Sequence, residues 1–180
     1  MPTILLGHSF GGLVIKKAIV IASTNPQYSR AYNSIVGLVF LGTPHRGTRL
    51  ANASRWWWLG ASSDIRSVLE LGSDALSELD RSFLNVPFVR DENNAAKIHC
   101  FYELEPTIYG PSWLRLYSIF TVDKTSATWP GRPSQGLTVR HSDLVKFANK
   151  EDLNYMNIVA VLHRIIDQAG IFDHSKDIHI

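Results

Sequence analysis

"LLGHSFGGLVIKKA", residues 5–18, joins an apolar run to a helix-like run through one serine set among glycines. Residues 4–6 read as a short strand that ends at Gly7, and residues 13–22 read as a helix with Lys16 and Lys17 on a solvent face. Gly7-His8-Ser9-Phe10-Gly11 has the spacing G-x-S-x-G. That pattern alone arises by accident in about one chain in twenty of this length. The strand entering it and the helix leaving it are what the nucleophile elbow requires. A serine in so sharp a turn needs small residues two positions away, and Gly7 and Gly11 are small. Its Oγ then stands clear of the sheet at a helix N-terminus, where negative charge is favoured and the Phe10 N–H is an oxyanion donor. The competing reading is a glycine-rich turn around an inert serine.

Working outward, "IVGLVFL" (residues 35–41) is continuously apolar and β-branched, the signature of a strand covered on both faces. It stops at the turn-rich "GTPHRGT" (42–48). Residues 49–87 look like a helical, cap-like insertion, with Ile65, Val68, Leu69, Leu76, Leu79 and Phe83 at helical spacings and Gly72 dividing two helices. "KIHCFYE" (97–103) is a third strand, "LYSIFTVD" (116–123) a fourth, and "KTSATWPGRPSQG" (124–136) a loop. Residues 152–167 form an amphipathic helix that Asn149 can cap, and 171–180 a loose tail. Strands alternating with helices imply an α/β class, a parallel sheet with helices on its faces.

A nucleophilic serine needs a base and a carboxylate to orient it, in the chain order serine, acid, histidine for this kind of elbow. Among the seven histidines, His8 lies inside the elbow, His45 precedes any acid, His99 is in a strand and His163 is in the last helix. His141, in "LTVRHSDLVKF" (137–147), follows the fourth strand and is the position from which an imidazole reaches back over the sheet. The acid stays open between Glu103, which ends the third strand, Asp123, which ends the fourth, and Glu105.

The totals restrict the rest. The 180 residues fit one domain; 45% are apolar and 19% charged, as in a globular chain. The formal net charge of +2 is too balanced for nucleic-acid binding, and the pI near 8.7 adds little. The single cysteine, Cys100, reads as buried packing and suits a reducing, intracellular compartment. "MPTILLGHS" lacks the pattern of a secretory leader. No metal-ligand spacing or phosphate-cradling loop stands out, so neither a metal nor another cofactor is expected. "RWWWLG" (55–60) suits packing, an acyl pocket under a lid, or peripheral membrane contact; Arg46, Arg49 and Arg55 could meet a phosphate head group, but they read better as scattered surface arginines.

Five blocks in this order, "LLGHSFGGLVIKKA", "VGLVFLGTPHRGT", "FYELEPT", "VDKTSAT" and "RHSDLVKF", resemble the serine esterase domain of the α/β-hydrolase superfamily. The likeness, from residue 3 to about 166, is to the serine-active-site-containing protein family, linked to phosphatidylglycerol remodelling. The chain also looks like the N-terminal hydrolase modules of fungal NACHT and ankyrin-repeat proteins. The resemblance implies Ser9 as nucleophile and His141 as base, with Glu103 and Asp123 both at acidic motif positions. His8, His45 and Trp57 are the candidates for the substrate pocket. It implies hydrolysis of a carboxylic or lipid ester through an acyl-enzyme, and association with mitochondrial or endoplasmic-reticulum membranes. Domains of this family carry several strands before the elbow, and the expectation is that residues 1–170 are the C-terminal portion of such a domain. The missing half, or a partner, would then cover an exposed sheet edge. One oxyanion donor comes from that half, and losing such a donor costs about 3 kcal/mol. The alternative function is a non-catalytic module that binds a protein or lipid partner.

Overall fold

The computed structural model describes residues 1–48, 70, 72–109 and 117–170. The elbow strand β1 (Thr3–His8) leads into α1 (Phe10–Thr24). A 3-10 turn and α2 (Ser29–Asn33) return the chain to β2 (Ile35–Leu41). The C-terminal part of the insertion supplies α3 (Asp74–Leu84), and α4 (Pro87–Arg90) and β3 (Ile98–Glu103) follow. A small antiparallel pair, β4 (Thr107–Tyr109) and β5 (Tyr117–Ile119), precedes α5 (Lys124–Ala127), β6 (Ser134–Leu137) and α6 (Leu153–Gln168).

The main sheet has the order β1-β2-β3-β6 and every pairing in it is parallel. Successive side chains of a strand point to opposite faces, so an unbroken apolar run serves two cores. In β2, Leu38 and Phe40 join Ile19, Phe83, Val86 and Trp129 on one side. Val39 and Leu41 join Ile158, Val161 and Ile165 of α6 on the other. Helix α6 lies so close to β2 that a side chain on Gly37 would collide with Ile165.

Three readings of the sequence need correction. The fourth strand of the sheet is β6, within the stretch read as a loop, while "LYSIFTVD" supplies only the short β5 of the separate pair. Pro133, Gly136 and the serine of β6 are turn signals in isolation. Pairing decides otherwise: β6 runs in register with β3 from Cys100↔Ser134 to Glu103↔Leu137, and Gly136 lies under the Leu104 side chain, 2.7 Å from where a Cβ would stand. The cap of the last helix is Asp152, whose Oδ1 accepts from Asn154 N at 2.8 Å, while Asn149 closes its own turn onto Glu151 N. Hydrogen bonds from the Ala148 and Asn154 amides hold the Asp152 carboxyl below its usual range. Lys16 is fully buried, and only Lys17 is at the surface.

The cap-like insertion of 49–87 is described only in its C-terminal part. Its stem closes through a parallel bridge between Thr48 and Glu70, and Gly72 N donates to Arg46 O at 3.1 Å. Trp57, Arg49, Arg55, Ile65, Val68, Leu69 and the tail 171–180 lie outside the described residues.

Candidate active site

Three chain reversals at one end of the sheet build the site. The first is the elbow. Ser9 has φ 52° and ψ −127°, and it is the one non-glycine residue with positive φ among those described. Such a backbone costs on the order of 1–3 kcal/mol, which the surroundings must hold in place. Ser9 N donates to Leu41 O at 2.9 Å, tying the turn to the end of β2. Gly12 lies against Thr43, where a Cβ would come within 2.6 Å of Thr43 Cγ2, and a Cβ on Gly7 would sit 2.8 Å from Gly12 Cα. The requirement for small residues therefore falls on Gly7 and Gly12; a Cβ on Gly11 meets nothing within 4 Å. No side chain caps α1, which leaves its first turn facing the space over Ser9, with Phe10 at its head.

The second reversal follows β2. Gly42, at φ 56°, lies beneath the imidazole of His141: a Cβ there would be 2.9 Å from both His141 Cε1 and Nδ1. The floor of the site is thus Gly42 and Thr43. His45, read from the sequence as pocket lining, sits instead in the core below it, with no exposed surface. Its ring lies 3.6 Å from that of Trp129, and its Nε2 lies 4.0 Å from Cys100 Sγ. Burial, then Lys16, holds the His45 pKa well below the usual imidazole value. Burial likewise pushes the Cys100 thiol up to about 12, so it is a packed, protonated group. His45 N and Arg46 N both bond Ser126 of α5, which braces this loop.

The third reversal follows β6 and carries His141, which is 7% exposed. His141 Nε2 lies 2.9 Å from Ser9 Oγ, and His141 Nδ1 lies 2.6 Å from Glu103 Oε2. Glu103 is buried, and its other oxygen accepts from the backbone N–H groups of Thr121 and Val122. An ionised carboxylate is an acceptor only, so Nδ1 carries the proton and Nε2 presents its lone pair to the serine. Asp123 is engaged elsewhere: its Oδ1 caps α5, accepting from Ser126 N at 2.9 Å and from Thr125 Oγ1 at 2.5 Å. Glu105 meets this region through its backbone N–H, which donates to Val139 O. Of the three carboxylates weighed, Glu103 faces the imidazole.

His8 stands beside this line. Its ring centroid is 5.1 Å from that of His141, and its Nε2 is 3.0 Å from His141 O. Sequence reasoning did not anticipate the amides of Thr121 and Val122 that steady Glu103. The apolar "FTV" preceding Asp123 looked like a strand core, and nothing in it signals that two of its N–H groups point at a carboxylate.

No family model matches this chain. Protein SERAC1 of Homo sapiens is 35% identical over 120 residues, which cover 66% of this chain and 17% of that protein. The SERAC1 protein of Danio rerio is 33% identical over 112 residues, 61% of this chain and 16% of that one. The chain thus spans about a sixth of the length of these curated relatives. Among solved structures, the mature form of the Bacillus licheniformis lipase BlEst2 superposes with a TM-score of 0.56 at 18% identity, over 91% of this chain and 65% of that one. The parallel sheet with helices on both faces, the strained serine between β1 and α1, and this likeness agree: the chain has the α/β-hydrolase fold.

Proposed function

We propose that this chain is a serine-dependent carboxylic ester hydrolase that works through an acyl-enzyme. The observation that carries the reading is the continuous line Ser9 Oγ, His141 Nε2, His141 Nδ1, Glu103 Oε2, with its two contacts of 2.9 and 2.6 Å. Each group then has a defined task. His141 Nε2 takes the proton of Ser9 as Oγ bonds to the ester carbonyl carbon. The buried Glu103 carboxylate holds the tautomer and balances the imidazolium. The Phe10 N–H, at the positive end of α1, receives the oxyanion. When the tetrahedral species collapses, the C–O bond to the alcohol breaks and His141 returns the proton to the leaving oxygen. Water repeats the sequence on the acyl-enzyme, and Ser9 is regenerated.

A lipid ester is the substrate class to try first, because the structural neighbour is a lipase. The test is intact-mass labelling with a fluorophosphonate, beside Ser9→Ala. A stoichiometric adduct on the parent and none on Ser9→Ala supports the reading. A folded parent that takes no adduct overturns it, and leaves a hydrolase-like module that binds partners without turnover.

A further inference from the structure

Ser9 and Glu103 hold the two ring nitrogens of His141, but neither fixes the backbone from which that ring hangs. The chain arrives there from β6 through residues 138–140 and leaves through a single 3-10 turn, His141–Asp143, which has no side-chain cap. His141 O accepts the Leu144 N–H at 3.4 Å and Val139 O accepts from Glu105 N at 3.2 Å, but neither bond reaches the strand that carries Ser9, so a tether to that strand would set the height of the imidazole over the serine. One such tether is present. The half-buried His8, the last residue of β1, places Nε2 3.0 Å from His141 O. A carbonyl oxygen only accepts, so His8 Nε2–H is the donor.

We propose that His8 is a positioning residue for His141: its Nε2–H bond to the His141 carbonyl locks the reversal after β6 onto the strand that carries Ser9, so that base and nucleophile share one rigid support. The proposal deepens the hydrolase reading of the same site and rests on it for the catalytic consequence. The geometry is economical. His8 and Ser9 are adjacent, so any shift of the elbow carries both the nucleophile and the anchor of its base. The Nε2–H is present in the ring's Nε2–H neutral tautomer and in its cation, but the charge matters. The rings are 5.1 Å apart, and the other charged groups acting on His8 are Glu103 and Lys146. Burial, then the nearby His141, lowers the His8 pKa. A neutral His8 leaves room for the imidazolium that His141 becomes during acylation, while a charged His8 opposes it.

The test separates positioning from mere structural support by comparing His8→Leu, which loses the donor, with His8→Gln, whose amide N–H can reach the same carbonyl. The first readout needs no turnover: the low-field proton signal of His141 Nδ1–H in the NMR spectrum. We expect it sharp in wild type and His8→Gln, and shifted or broadened by exchange in His8→Leu at a temperature where all three are folded by circular dichroism. The second readout is the rate of fluorophosphonate labelling. His8→Leu is expected to lose about tenfold, the worth of one hydrogen bond, and His8→Gln to stay within about threefold of wild type. Unchanged NMR signals and rates in folded His8→Leu overturn the proposal. Failure of wild type to label at all overturns the hydrolase reading instead, and the NMR comparison still decides whether His8 positions His141.

Discussion

Lys16 Nζ lies 2.6 Å from Asp80 Oδ1, and the lysine side chain is fully buried. The pair joins α1, the helix that leaves the elbow, to α3, the helix that ends the insertion. Trp129 Nε1 donates to the same Asp80 oxygen at 3.0 Å, and the ammonium lies 5.1 Å from the Trp129 ring centroid. Burial lowers the Lys16 pKa, and Asp80 opposes that shift. Breaking such a pair on one side leaves an uncompensated charge and costs roughly 3–5 kcal/mol, whereas neutralising both sides can cost little. Lys16→Met is therefore expected to lower the urea-unfolding free energy by about that amount. Lys16→Met with Asp80→Asn, which keeps an acceptor for Trp129, is expected to recover more than half of it. A double variant as unstable as the single one would show that packing, and not charge, holds the contact.

Two of the three acids that the sequence leaves open, Glu103 and Asp123, separate by experiment. Glu103→Gln removes the charge that fixes the His141 tautomer, and labelling of Ser9 is expected to fall by roughly a thousandfold or more. Asp123→Ala removes the cap of α5, and is expected to cost about 1 kcal/mol of stability with labelling reduced far less. Equal losses of labelling in the two folded variants would count against Glu103 as the orienting acid.

The legible parts of this fold were those written in local chemistry. The β1-turn-α1 passage and β2 are strongly patterned, and both stand where the sequence puts them. Glu103 and His141 were nameable because they end a strand and follow one. What stayed hidden depended on partners distant in the chain. The strand β6 looks like a loop until β3 supplies its hydrogen bonds. Lys16 looks solvated until Asp80, 64 residues on, accepts it. His45 looks like a site residue because it lies in a dense motif, but Gly42 and Thr43 of that motif form the floor and the imidazole turns down onto Trp129.

The elbow glycines divide in the same way. Gly11→Ala places a methyl in open space in the first turn of α1, where alanine is the better helix former by up to about 1 kcal/mol. Its thermal midpoint is expected to hold or rise. Gly12→Ala drives a methyl into Thr43 and must displace the loop that underlies His141. It is expected to lose about 1–3 kcal/mol and most of its labelling. If Gly12→Ala melts with wild type, the close packing of elbow on loop is not what holds the turn.

Acid should weaken the fold through its buried imidazoles. Burial, and then Arg164, bring the His99 pKa down to about 4. Arg164 Nη2 donates to His99 Nδ1 at 2.9 Å, a bond that needs a neutral ring. In the unfolded chain the same group titrates near 6.5. Between those values the unfolded state binds the proton and the folded state does not, so stability is full above about pH 6.5 and falls as the pH drops toward 4. His45, held well below the usual value, and His8 act in the same direction. His99→Gln keeps an acceptor for Arg164 and removes one titrating ring. Its thermal midpoint is expected to fall less than that of wild type between about pH 7 and about pH 5. Parallel declines in the two proteins would mean that His99 takes up its proton in the folded chain as readily as in the unfolded one, and that burial and the Arg164 contact do not hold it neutral.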